Sequence, residues 1–275
     1  MKGLLPVNIA KMSGAGNTFA LIDARLNAAW WGAEKSFGIS RSGFAKLICD
    51  KINGLSTDGL LFIQNGSDGF DYDWDFYNSD GSTAEMCGNA ARCAARFCKD
   101  NLGAESQSEF RFKTGAGLVT AEVLGNHQVR VKMPEASIVQ ESFEGFKWID
   151  SGVPHLVLQL KDFEESAGSK EKARLMRSHK NLGPKGANVT YYSEVKPGYI
   201  KAVTFERGVE DYTAACGTGA VAAALAYANK QMKLVQVEMP GGVLEISFKD
   251  GEKKPEMTGP AIFVGEFKYN LEVIK

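Results

Sequence analysis

The stretch Ala220-Val221-Ala222-Ala223-Ala224-Leu225-Ala226-Tyr227-Ala228 constrains the fold of this chain more than any other. It reads as a helix of small residues, and it has no polar side. A helix that is apolar all round has to be buried. Small side chains let neighbouring strands come close, so the fold must wrap sheet around this segment. It is introduced by Ala215-Cys216-Gly217-Thr218-Gly219. The same order of cysteine, glycine and small-residue helix occurs earlier, at Glu85-Met86-Cys87-Gly88-Asn89-Ala90-Ala91-Arg92-Cys93, and that helix reads as stopping near Asn101-Leu102-Gly103.

Cys87 and Cys216 lie 129 residues apart, nearly half of the 275-residue chain. Strand-like segments precede each of them. They alternate or are rich in β-branched and aromatic residues, as at Asn8–Lys11, Phe19–Asp23, Leu60–Gln64, Tyr72–Tyr77, Asn188–Tyr192 and Ile200–Phe205. Further strands are expected at Phe110–Thr114, Leu118–Val123, Gln128–Met133, Leu156–Leu160, Val235–Met239, Leu244–Phe248 and Ala261–Phe267, with a hairpin at Gly125-Asn126. Arg41–Ile52 reads as an amphipathic helix, and Glu165–Ser178 as a polar surface helix. The pattern predicts an α/β protein of the α+β type. It has two pseudo-symmetric halves, each a mostly antiparallel curved sheet or barrel around a central helix, with a break near Met133-Pro134.

Charge excludes two large classes of partner. The chain has 32 basic and 33 acidic residues, well mixed, so neither a nucleic-acid groove nor an anionic membrane surface is indicated. The run Lys170–Lys185 reads as a solvated helix and turn. The uncharged run Tyr212–Asn229 is Ala- and Gly-rich and barely long enough to span a bilayer, which favours a buried helix. Five cysteines, no Cys-x-x-Cys pair and no secretory pattern in Met1–Pro6 point to a reduced, cytoplasmic protein. Cys87, Cys93 and Cys98 do not line one helical face and histidine is scarce, so no zinc site is expected.

A thiol at a helix mouth has a specific chemistry. The first turn leaves backbone N–H groups without partners, and the helix dipole adds partial positive charge. Such an end holds a carboxylate and makes a nearby cysteine easier to deprotonate. If two such mouths face each other, one thiolate removes the proton from an α-carbon whose carboxylate the N–H groups hold. The other thiol returns a proton to the opposite face. Configuration inverts, and the N–H groups stabilise the charge that moves onto the carboxylate. Converging thiols would also be linked by mild oxidation. Cys49, Cys93 and Cys98 read as buried structural residues.

Several polar residues can complete such a site. Asn17 follows the turn Ser13-Gly14-Ala15-Gly16; Asn78 opens Asn78-Ser79-Asp80-Gly81; Asn188 interrupts an apolar strand. Arg207, in Glu206-Arg207-Gly208, can clamp a carboxylate through two donors, and His155 follows Gly152-Val153-Pro154. Each of these also has a plain structural reading.

Together the motifs resemble the diaminopimelate epimerase family over almost the whole chain. The matching segments are Lys11–Asn17, Asn78–Ser82, Met86–Cys93, Pro154-His155, Ala187-Asn188, Glu206–Gly208, Ala215–Gly219 and Met257–Ala261. The resemblance implies two α/β domains with the active site between them. One would span 1–132 with a returning strand at 262–275, the other 133–261. It implies cofactor-independent conversion of LL-diaminopimelate to the meso form, for lysine and peptidoglycan synthesis. Cys87 and Cys216 would be the acid/base thiols, and Gly88, Asn89, Gly217 and Thr218 would hold the reacting carboxylate. Asn17, Asn78, Asn188, Glu206 and Arg207 would bind substrate, while His155 and Glu206 tune the thiols. The expected partner is a small amino acid, with neither nucleic acid nor membrane; a homodimer is the assembly to test. The chain departs from the pattern at Gly59, where many members carry glutamine, at Val153, where many carry asparagine, and in the loop from Arg207 to Cys216, which is one residue longer. Racemisation of another amino acid, for example histidine, and a non-catalytic binding protein therefore stay as alternatives.

Overall fold

The computed structural model describes residues 6–25, 38–164, 170–228, 232–249 and 254–270. The chain divides into two compact units, Met1–Val131 with Pro260–Lys275, and Lys132–Gly259.

In the first unit β1 (Pro6–Gly14) turns back into β2 (Asn17–Asp23). The turn needs left-handed backbone at Ala15 and Gly16, with φ of 56° and 93°. A crossover carrying α1 (Arg41–Cys49) leads to β3 (Gly59–Asn65), parallel to β2. β4 (Tyr72–Asn78) returns antiparallel. A second crossover carries α2 (Gly88–Asn101) to β5 (Glu109–Thr114), parallel to β4. β6 (Gly117–Gly125) and β7 (Gln128–Lys132) complete an antiparallel run, joined through left-handed Asn126 and His127.

The second unit opens with β8 (Ser137–Phe143), β9 (Phe146–Asp150) and β10 (Pro154–Gln159), paired antiparallel in turn. A crossover with α3 (Lys170–Arg177) reaches β11 (Asn188–Lys196), parallel to β10. β12 (Tyr199–Glu206) follows antiparallel, and the short β13 (Asp211–Tyr212) folds back onto its end. The next crossover carries α4 (Gly217–Tyr227) to β14 (Leu234–Met239), parallel to β12. β15 (Gly242–Ser247) and β16 (Glu256–Pro260) close the run. Finally β17 (Ile262–Asn270) pairs antiparallel with β1.

The two units repeat strand for strand. The run β17-β1-β2-β3-β4-β5-β6-β7 and the run β8-β9-β10-β11-β12-β14-β15-β16 have the same order of parallel and antiparallel pairings. Among the described residues each unit carries an α-helix in its first crossover, α1 or α3, and a small-residue helix in its second, α2 or α4. Alternation along the strands explains how both helices are accommodated. Ala20, Ile22, Leu60 and Phe62 pack with Phe44, Ala45 and Ile48 of α1. The intervening Leu21, Leu61 and Ile63 are also fully buried, and α2 packs against β1, β2, β3 and β6. Phe44 is fully buried, a contribution of about 1.5–3 kcal/mol. In the second unit Ala173 of α3 packs with Leu156, Val189, Tyr191 and Phe205, while α4 lies against β10, β11, β12 and β14. The fold is thus a sheet-rich α+β architecture, as expected.

Four of the described strands, β8, β9, the two-residue β13 and β16, were not expected from the sequence. β8 is exposed at every residue but Phe143, so it has no alternation to read, and β9 continues it as a hairpin. β16 lies where only a motif was seen. α1 ends at Cys49 rather than Ile52, because the Asp50 carboxylate accepts from the backbone N–H of Ile52 and Asn53 and holds a turn there. Of the expected polar helix 165–178, residues 165–169 lie outside the described residues; the rest is α3, buried only at Ala173. Met1–Leu5, most of the segment in which no secretory pattern was read, also lie outside them. Among the described residues no helix is long and apolar enough to cross a membrane.

Candidate active site

In the first unit Cys87 is the N-cap of α2, in extended conformation, and Gly88 is the first helical residue. The first intrahelical bond runs from Ala91 N–H to the Cys87 carbonyl. The earlier N–H groups therefore point out of the helix end, as in any α-helix. β1 passes close beside this end. A Cβ at Gly14 would sit 2.8 Å from the Asn89 carbonyl oxygen and 3.2 Å from Cys93 Sγ, which leaves room only for glycine. The buried Asn89 side chain donates from Nδ2 to Asn17 Oδ1 at 2.7 Å. Asn17 Nδ2 in turn reaches Asp58 Oδ2 at 3.4 Å, and the same oxygen accepts from Thr18 N–H at 2.7 Å. Asn78, exposed at the end of β4, donates from Nδ2 to Ser82 Oγ at 3.0 Å.

In the second unit Cys216 is the N-cap of α4 and Gly217 its first residue. Close packing again dictates glycine: a Cβ at Gly219 would lie 2.2 Å from Thr204 Oγ1. The polar groups around Cys216 form a directed chain. Arg207 N–H donates to Asn188 Oδ1 at 2.9 Å, which fixes that amide. Asn188 Nδ2 therefore faces His155 Nε2 at 3.3 Å as donor, so Nε2 is the acceptor nitrogen and Nδ1 carries the proton. Nδ1–H donates to Thr190 Oγ1 at 2.9 Å, leaving Thr190 to donate to Thr204 at 3.0 Å. Thr218 Oγ1, 3.0 Å from His155 Nε2, donates its proton there. Thr218 Oγ1 also lies 3.5 Å from Cys216 Sγ. Ser151 Oγ ties down the Thr218 carbonyl at 2.9 Å. Burial lowers the His155 pKa to about 3, helped by the charge of Arg207, so the ring is neutral.

Glu206 completes this group. Thr213 Oγ1 donates to its carboxylate at 2.5 Å. Burial raises the Glu206 pKa, opposed by hydrogen bonds from Thr213 and Cys216. The Cys216 thiol is itself pushed well above its ordinary value, first by burial and then by the Glu206 charge. This corrects the expectation that a helix mouth makes both thiols easier to ionise: at Cys216 desolvation outweighs the helix end. Cys49 and Cys93 are raised to about 11 and about 12, mainly by burial, and Cys98 well above its ordinary value. The Arg207 guanidinium reaches the carbonyls of Gly186 and Lys185, at 3.4 and 3.5 Å.

Thus Asn17, Asn89 and the Cys87 helix end are assembled in one unit. In the other, His155, Asn188, Glu206, Arg207 and Thr218 are assembled around Cys216. Sequence reasoning missed Asp58, Thr190, Thr204 and Thr213. Thr190 follows two residues after Asn188 and so shares its strand face, which is the one signal that pointed to it. Among the described residues no group of His, Cys, Asp and Glu could hold a metal.

Comparison with known proteins bears on this arrangement. The protein-family model described as diaminopimelate epimerase matches residues 9–139 and 147–264. A diaminopimelate epimerase of Aquifex aeolicus is 37% identical over 280 residues, covering 96% of this chain and 98% of the relative. One from a Hydrogenobaculum species is 32% identical, covering 96% and 99%. Among solved structures, a hydroxyproline epimerase of Agrobacterium vitis superposes with a TM-score of 0.68 at 14% identity, covering 98% of this chain and 92% of that one. A phenazine biosynthesis protein of the PhzF family from Bacillus anthracis gives 0.69 at 11% identity, covering 96% and 99%. At such identities these two speak for the fold alone.

Proposed function

The chain belongs to the diaminopimelate epimerase family and is an isomerase of the epimerase type, and from that premise we propose that it converts LL-2,6-diaminopimelate to the meso form by a cofactor-independent two-thiol mechanism. The observation that carries this reading is the matched pair of N-capping cysteines, one on the small-residue helix of each unit, in a topology that repeats strand for strand. In this mechanism Cys87 and Cys216 exchange roles as base and acid on opposite faces of the substrate α-carbon. The N–H groups of Gly88, Asn89, Gly217 and Thr218 hold the reacting carboxylate, and their partial charge stabilises the carbanionic transition state. Asn17, Asn78, Asn188 and Arg207 bind the substrate, mainly its non-reacting end. The high pKa of Cys216 makes it the thiol in the free enzyme and the proton donor to the first substrate bound. Burial and the Glu206 charge hold it in that state, while His155, hydrogen-bonded to Thr218, is the second neighbour that tunes the thiol. The product would serve lysine and peptidoglycan synthesis, in the cytoplasm, from a homodimeric enzyme.

Incubation of LL-diaminopimelate with the enzyme in D2O tests the reading. It predicts meso product with deuterium at one α-carbon, and loss of both inversion and exchange in Cys87→Ser or Cys216→Ser. Full inversion by either variant sinks the mechanism. Gly59 and Val153 offer no polar side chain to a distal group, so a panel of other amino acids is assayed beside it. Turnover there, with none on diaminopimelate, replaces the substrate and keeps the chemistry.

A further inference from the structure

Among the described residues Arg92 is the largest fully buried side chain, and the mechanism above gives it no task. It lies one turn into α2 from Cys87. Its Nη2 donates to Asn89 Oδ1 at 2.9 Å, its Nη1 reaches the Gly88 carbonyl at 3.5 Å, and its Nε donates to the Pro260 carbonyl at 3.2 Å. The first of these bonds orients an amide. With Oδ1 taken by Arg92, Asn89 must present Nδ2 to Asn17 Oδ1, and Asn17 must present its own Nδ2 toward Asp58. One guanidinium thereby sets the direction of every amide from α2 to β2.

Resting on the proposed thiol chemistry, we propose that Arg92 is a positioning residue for Cys87: it aligns the Gly88-Asn89 helix end and sets a buried cation within electrostatic reach of the sulfur, so that Cys87 is the thiolate of the resting pair. Burial lowers the Arg92 pKa to about 10, while Cys93 and Cys87 pull it up, so the guanidinium is charged at neutral pH and electrostatically coupled to both sulfurs. Cys93, whose thiol burial pushes up to about 12, stays protonated there. β1 approaches through Gly14 and β16 through the Pro260 carbonyl, adding no charge. Glu85, two residues before Cys87, lies against Gly115.

The test is iodoacetamide labelling of the full-length enzyme, with each cysteine quantified by peptide mass mapping. In Arg92→Gln, Cys87 labelling near neutral pH falls about tenfold, the expected loss when an adjacent opposite charge is removed. The gap closes near pH 10, where the thiol ionises without help. Cys93 stays unlabelled, which reports an intact core. Labelling of Cys87 at the wild-type rate overturns the proposal. If Arg92→Gln does not fold, Arg92→Lys decides. Labelling within about twofold of wild type, with turnover down about 100-fold because the guanidinium fork is lost, supports it. Any other pairing of those two results refutes it. The Arg92→Gln labelling needs no substrate, so it stands even where the wild-type enzyme leaves diaminopimelate untouched and the functional reading fails.

Discussion

His155 turns the chemistry of the second unit into an acid sensitivity that can be measured. The ring is fully buried, held neutral between Thr190, Thr218 and Asn188, and its pKa falls from an ordinary 6.5 to about 3. A base with a depressed folded pKa takes up its proton more readily when unfolded. Stability is therefore complete above the unfolded value and is lost as pH falls through 6.5 toward 3. Between those limits the unfolded chain binds one more proton, a slope of about 1.4 kcal/mol per pH unit. Going from pH 7 to pH 5 should then cost about 2 kcal/mol from this residue, and at pH 4 about 3 kcal/mol. Urea unfolding at each pH, for wild type and for His155→Gln, isolates the term. Glu206, with its raised pKa, acts in the opposite sense but is common to both proteins. The difference in stability between the two should shrink by about 2 kcal/mol from pH 7 to pH 5. A difference that stays constant across that range refutes a buried neutral imidazole.

Other perturbations probe the remaining features. Gly219→Ala drives a methyl group into Thr204, so unfolding should become easier by about 1–3 kcal/mol, read as a lower denaturation midpoint. Mild oxidation of the native enzyme should link Cys87 to Cys216 and abolish turnover until a reductant is added; mass mapping that finds neither sulfur in such a link counts against their convergence. Cys98, fully buried and with a raised pKa, should react with iodoacetamide only after denaturant is added. Labelling in the native state would show that α2 is less tightly covered than described.

Much of this was legible in the chain. The two cysteine-led helices could be read because small apolar residues on every side permit only burial, and their spacing revealed two halves. Strands with one or two buried faces, such as β2 and β3, announced themselves by alternation or by runs of branched residues. β8 did not, because a strand solvated on nearly all sides carries neither signal. At the site, residue types could be read but not their environments. His155 and Arg207 looked alike as candidates, yet one is buried without access to water and the other half-exposed. The sign of the Cys216 shift was misread for the same reason: a helix end is visible in sequence, whereas the burial that outweighs it is a product of packing.

The repeat places Asn78 at the end of β4 where Glu206 ends β12, each ahead of a helix-leading cysteine. Two identical halves would have two sulfurs of equal acidity and no preferred resting state. The amide in one half and the acid in the other help to break that equivalence. Under the proposed two-thiol scheme the enzyme would begin each cycle biased toward one isomer, and after each forward turnover a proton would have to return from Cys87 to Cys216 before the same isomer could react again.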